Sequence, residues 1–262
     1  MKNKVNINRR SAIKTIGALG ITSTLVSAKA FGQTKKTDAY ALVGGSTPFE
    51  VIKTALDENI VKGVNITIDY ESDVKKMSTL DGYRLLITLH YGPFTVEQEK
   101  MVQAFVQNGG GALFLHNSTD IAKATGTEII RDVIGGYWLR HTDIRPYRVK
   151  ITNKNHPITN GVNDFEITGE HHYNQYDKDP RNVFMINESI DGWSYNNIKG
   201  DKHYDKQLGE RGFGPSGCSG WAYEYGKGRV CFLAPGHTLE ILMNSEFVKL
   251  QQNAVRWCLK QI

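Results

Sequence analysis

The stretch Gly109-Gly110-Gly111-Ala112-Leu113-Phe114-Leu115-His116-Asn117 decides how the chain is read. Three glycines close a helical pattern, and the apolar run after them has the composition of a buried strand. A histidine stands where that strand ends. In an open parallel α/β sheet, ligands bind in the crevice beyond the carboxyl ends of the strands. His116 is therefore placed where such a sheet does its chemistry.

Working outward, strands and helices alternate. Residues 38–43 read as a first strand, and Gly44-Gly45-Ser46-Thr47 turns the chain into a helix that begins at Pro48. Phe49, Ile52, Leu56 and Ile60 share one face of that helix. The glycine pair lacks dinucleotide or Walker spacing, so it reads as a tight turn and not as a phosphate loop. Residues 64–70 alternate like a second strand. Residues 83–89 form a third, ending at His90-Tyr91-Gly92. Thr95 and Gln98 have the spacing of a capping box, which predicts a helix running to Gln107. Residues 112–115 are the fourth strand, and 120–134 a further helix. Near the C-terminus, residues 228–234 form a strand that ends in Pro235-Gly236-His237. A closing helix carries Phe247, Leu250, Ala254 and Trp257 on one face. This alternation predicts an α/β fold with a doubly wound, mostly parallel sheet. Residues 137–225 break it, being rich in aromatics, Asn, Asp and Gly. Short strands are expected at 147–151 and 183–186. The rest reads as long loop insertions over the C-terminal edge of the sheet.

Composition is that of a soluble globular chain of 262 residues, large enough for one domain with a full core. The formal charge of +5 comes from the N-terminus. Residues 1–30 hold Lys2, Lys4, Arg9, Arg10, Lys14 and Lys29 and no acid, and beyond them 26 basic face 27 acidic side chains. Nothing in that balance calls for a nucleic-acid partner. The twin arginine Arg9-Arg10, the short apolar run 15–26 and Ala28-Lys29-Ala30 have the layout of a cleavable export signal of Tat type. Residues 31–37 then form a linker and 38–262 one domain. The apolar run is too short for a stable membrane span, so a periplasmic or otherwise exported protein, cleaved near Ala30, is expected. Cys218, Cys231 and Cys258 form neither a disulfide framework nor a zinc ribbon. Cys231 and Cys258 read as core residues, and a pairing of Cys218 with Cys231 stays open.

Histidine dominates the chemistry-bearing residues. Of eight in the chain, His90, His116 and His237 each follow a predicted parallel strand, which points all three to one sheet edge. The irregular region adds His141-Thr142-Asp143, His156-Pro157 and Gly169-Glu170-His171-His172-Tyr173. Histidine with carboxylate suits zinc or another divalent metal, and equally acid–base work near neutral pH. His156 reads as a turn cap, and His203 as solvated. The sequence has no G-x-S-x-G or G-x-C-x-G elbow. Where such an elbow would lie it has Leu115-His116-Asn117, which excludes a cysteine nucleophile there. Ser118 has no local mark of activation.

Several of these strings stand in an order that resembles the trehalose-utilisation (ThuA-like) family. They are residues 109–116 ending in His116, Asn155-His156-Pro157-Ile158, Asp164-Phe165-Glu166-Ile167 leading to Glu170, Gly226-Lys227-Gly228-Arg229-Val230, Pro235-Gly236-His237 and Asn253-Ala254-Val255-Arg256-Trp257. The resemblance covers nearly all of the chain after residue 39. It implies a flavodoxin-like sheet of the class I glutamine amidotransferase type without the amidotransferase cysteine. It also implies a role in sugar metabolism beside sugar oxidoreductases. His116 and His237 carry over as site residues, and Glu170 as the acidic one. The family's histidine after strand one is absent here, where Ser46-Thr47 stand.

The expectation is an exported enzyme acting on a keto-sugar or glycoside by isomerisation, elimination or hydrolysis. The catalytic candidates are His116, Glu170, His172 and His237. His116 and His237 are the candidate ligands of a divalent metal such as zinc. His90, His141, Tyr173 and Trp221 are the candidate sugar-binding residues, and a sugar oxidoreductase of the same pathway the candidate partner. The alternative is a carbohydrate-binding module without turnover, stacking sugars on Trp138, Tyr173, Trp193 and Trp221.

Overall fold

A computed structural model describes residues 37–124, 128–191 and 216–262. The chain divides into a short N-terminal unit, Met1–Thr34, and the unit Lys35–Ile262 that carries the fold. The expected export signal, the linker up to residue 36, Trp193 and His203 lie outside the described residues.

The strands that the sequence marks as continuous apolar runs are wholly buried. They are β1 (Ala39–Val43), β3 (Leu85–Leu89) and β4 (Gly111–Leu115), joined by β9 (Gly228–Leu233). With β2 (Ile68–Glu71) they lie side by side in the order β2-β1-β3-β4-β9, every pair parallel. Burial of each Leu, Ile, Val or Phe side chain contributes about 1.5–3 kcal/mol. One apolar cluster lies under α1 (Phe49–Leu56) and α6 (Ser245–Cys258). The other lies under α2 (Val96–Gln107) and α4 (Glu128–Ile134). The capping box forms as expected, with the Thr95 side chain accepting from the Gln98 N–H and the Gln98 side chain accepting from the Thr95 N–H. A π-helical segment, Asp57–Asn65, extends α1 and delays β2 beyond the expected start at residue 64. The expected helix 120–134 falls into α3 (Thr119–Ala124) and α4. A short α5 (Leu239–Leu242) precedes α6.

The expectation of a doubly wound, mostly parallel flavodoxin-like sheet of glutamine amidotransferase type is overturned by the second half of the chain. The strands expected at 147–151 and 183–186 form as parts of β5 (Gly136–Ile151) and β7 (Val183–Ser189), and residues read as loops over the sheet edge are also long strands: the first part of β5, β6 (Phe165–Tyr176) and β8 (Ser216–Tyr225). Among the described residues, antiparallel pairings number five against four parallel ones. Strands β8, β6, β5 and β7 pair in turn, and β7 pairs again with β8, which closes this antiparallel part into a small barrel. Its interior holds Tyr147, Val149, Phe165, Ile167 and Met185. The physical reason for the misreading is local. Pro146 lies inside β5, and two register shifts interrupt its alternation, so the period of two that betrays a strand is broken.

Among the described residues the cysteines are all free, and Cys231 and Cys258 are buried as expected. No described helix is long and apolar enough to cross a membrane.

Candidate active site

The site begins at the end of β4. His116 takes a left-handed backbone conformation, φ +49°, immediately after the strand. His237 does the same after β9, φ +59°. Left-handed backbone is unfavourable for a residue with a Cβ, and such strain collects at functional turns. His116 is 1% exposed, and its Nδ1 lies 3.0 Å from the Ala234 carbonyl oxygen. The carbonyl can only accept, so Nδ1 carries a proton and Nε2 is the ring atom left to face the site. Gly236 makes this packing feasible: a Cβ there would come within 2.6 Å of His116 Cγ. The turn after β1 braces the other side. Thr47 Oγ1 donates to the His237 carbonyl at 3.0 Å, and Asn117 Nδ2 donates to Ser46 Oγ at 3.0 Å.

The antiparallel strands supply the rest. Glu170 and His172 alternate along β6 and so project from one face, and His141 of β5 lies opposite His172. Glu170 Oε2 is 3.4 Å from His116 Nε2, 3.4 Å from His172 Nε2 and 3.3 Å from His237 Nδ1. Glu170 Oε1 is 3.9 Å from His141 Nδ1. His116 and His172 rings stand 4.2 Å apart, and His141 stacks on His172 at 5.4 Å. His116 and His172 are buried, whereas the His237 and His141 side chains are 22% and 41% exposed and form the open side.

Electrostatics follow from that geometry. Burial alone would raise the Glu170 carboxyl, but the close approach of His116 and His172 and the charges of His141 and His116 outweigh it. The carboxyl is held far below the ordinary carboxylate range and stays ionised. Burial drives His172 down to about 3. The charge of His116 adds to this, and the contact with Glu170 opposes it. Burial also lowers His237, against the pull of Glu170. Although His116 Nε2 and His237 Nδ1 approach Glu170, neither finds an aligned hydrogen-bond partner. Single atoms of His116, Glu170 and His237 lie within 4.8 Å of one another, the grouping of a metal site with three protein ligands.

The structure thus brings together His116, Glu170, His172, His237 and His141. His90 stands apart: its Nδ1 accepts from the Gly92 N–H at 2.9 Å, its ring stacks on Tyr91, and burial lowers its pKa. Tyr173 and Trp221 lie in the core. Both are fully buried and offer no face to a sugar. Tyr173 stacks on His171 inside the barrel, and Trp221 donates to the Ile134 carbonyl and packs on Phe232. Ser118 is bound to Thr88, donating to its carbonyl oxygen and accepting from its hydroxyl. His156 caps a turn, as read, by accepting from the Ile158 N–H. The bracing by Thr47, Asn117, Ala234 and Gly236 was missed. Only the strings Gly44-Gly45-Ser46-Thr47 and Pro235-Gly236-His237 hinted at it.

No curated protein matches the chain. Among solved structures, a ThuA-like protein of Parabacteroides merdae superposes with a TM-score of 0.64 at 16% identity, covering 87% of this chain and 91% of the other. One from Bacteroides uniformis gives 0.61 at 19% identity, covering 87% and 93%. A β-galactosidase of Rahnella sp. R3 gives 0.55 at 13% identity, with 86% of this chain matched to 32% of that one. At such identities the likeness is one of fold. The family model for ThuA, trehalose utilisation, matches residues 28–258, and the chain belongs to that family.

Proposed function

We propose that the chain is an exported sugar-active enzyme. It acts on a keto-sugar or glycoside by histidine–carboxylate acid–base chemistry with the help of a divalent metal such as zinc. The observation that carries this reading is the convergence of three histidine nitrogens on one oxygen of Glu170, at 3.3–3.4 Å. The residues fit a cation. With His116 Nδ1 committed to Ala234, Nε2 is the ring atom turned toward the ionised Glu170 carboxylate. A ring nitrogen and a carboxylate so placed are joined by a shared proton or by a cation.

His116, Glu170 and His237 would hold the ion, and the Ala234 carbonyl fixes the His116 tautomer, as outer partners of metal-ligating histidines do. Bound there, a divalent ion would polarise a sugar oxygen and acidify the neighbouring C–H. His172 stays neutral and holds Glu170 by its Nε2. His141, the most exposed member, exchanges the substrate proton with solvent at the mouth of the site. Removal of a proton beside a carbonyl is the step that isomerisation and elimination share.

The test is deuterium uptake in D₂O at the carbon beside the carbonyl of a keto-glucoside, followed by NMR. The expected result is uptake catalysed by the protein and slowed about 100-fold or more in Glu170→Gln. Binding of the keto-glucoside with neither uptake nor product would assign the site to a non-catalytic carbohydrate-binding role. Export is checked by the mass of the secreted protein, expected to begin at residue 31.

A further inference from the structure

Trp138, His141 and Ile144 of β5 stand three residues apart, and all face the candidate site. On a regular strand, residues three apart point to opposite faces. The register accounts for the difference. Trp138 pairs with Asn174, His141 with His172 and Ile144 with Glu170, with irregularities between Trp138 and Arg140 and between His141 and Ile144. Each irregularity absorbs one extra residue on β5. Asn174, His172 and Glu170 alternate along β6 and share a face, so their partners share it too. Ring contacts agree: Trp138 lies 5.8 Å from His141, which lies 5.4 Å from His172. Trp138 is half-buried, and Ile144 is 58% exposed.

The strip has a direction. Glu170 marks one end and Trp138 the other, with the His141 ring between them, its Nδ1 3.9 Å from Glu170 Oε1 and its centre 5.8 Å from that of the indole. A pyranose reacting at Glu170 covers the His141 ring, and a second ring joined to it comes over the indole beyond. We infer that Trp138 is the stacking face of an outer subsite, and that the ligand carries a second ring beyond the one that reacts. An indole takes the flat apolar face of a pyranose or of an aryl group alike. The inference rests on the proposed sugar-active reading and adds the size and shape of the ligand.

The test is calorimetric titration of the full chain with methyl α-glucoside, phenyl α-glucoside and trehalose. At least one two-ring probe is expected to bind roughly tenfold or more tightly than methyl α-glucoside. Trp138→Ala should abolish that gain and leave methyl α-glucoside unchanged, while Trp138→Phe, which keeps a ring, should retain most of it. A gain for phenyl α-glucoside alone identifies an aryl aglycone, and one for trehalose alone a second sugar. Equal affinity for one- and two-ring probes, or a gain that survives Trp138→Ala, overturns the inference but leaves the sugar-active reading standing. Failure of all three probes and of their keto derivatives to bind overturns both.

Discussion

His116 and His237 reach the site from the ends of parallel strands, whereas Glu170, His172 and His141 reach it from the middle of antiparallel ones. In the parallel part, the backbone does the aiming: two left-handed residues, one after β4 and one after β9, turn their rings inward. In the antiparallel part, register does the aiming, since Glu170 and His172 share a face only because they are two apart on β6. The first arrangement tolerates little change at a turn. The second depends on strand pairing many residues away. A site assembled from both is fixed by two independent parts of the sheet.

This contrast can be broken most sharply at Gly236. A Cβ there would meet the buried His116 ring, which has no room to yield. Gly236→Ala is expected to cost about 1–3 kcal/mol in denaturant unfolding, and to abolish deuterium uptake while the β5–β6 pairing persists. Unchanged stability and uptake would show that the turn does not position His116.

His237→Gly probes the same device with the opposite sign. Glycine relieves the left-handed strain, so stability should rise by about 0.5–1 kcal/mol while uptake falls at least 100-fold. A loss of stability would mean that His237 is held by packing and not by function. His90→Ala is expected to lower stability by about 1 kcal/mol, because the Gly92 N–H loses its acceptor. It should leave uptake within a few-fold of the parent, since His90 lies outside the cluster.

His156 gives the smallest effect. Its ring sits between Phe184 and Trp257, and burial lowers its pKa, with the charge of Arg229 adding to this. The unfolded chain therefore binds this proton more readily than the folded one. The residue's contribution is complete above its unfolded pKa of about 6.5 and declines as pH falls toward the folded value. His156→Asn should flatten the fall in stability between about pH 6.5 and 5 by less than about 1.4 kcal/mol per pH unit. An unaltered profile would place the titration elsewhere.

The same two parts differ in how well the sequence discloses them. β1, β3 and β4 are continuous apolar runs, and the Thr95–Gln98 box marks the start of α2, so these elements are legible. β5 is not, because Pro146 and two register shifts disguise a strand that begins at Gly136 and ends at Ile151. Reading all of it before residue 147 as loop led to the mostly parallel sheet that the structure contradicts. The placement of His116 and His237 after strands was visible. Their convergence with Glu170 depends on pairing between β5 and β6, which spacing does not reveal. Trp221 and Tyr173 show the limit for aromatics: the same ring serves as a sugar face or as core, and only the β8–β9 and β5–β6 pairings bury these two.

The central claim is that His116, Glu170 and His237 together hold a divalent ion, and elemental analysis of the folded protein tests it most directly. One equivalent of zinc or another divalent metal in the parent protein is predicted, falling below about a tenth of that in His116→Ala, His237→Ala and the near-isosteric Glu170→Gln. A parent protein that neither carries such a metal nor takes one up from added zinc, or variants that keep it, would contradict the account.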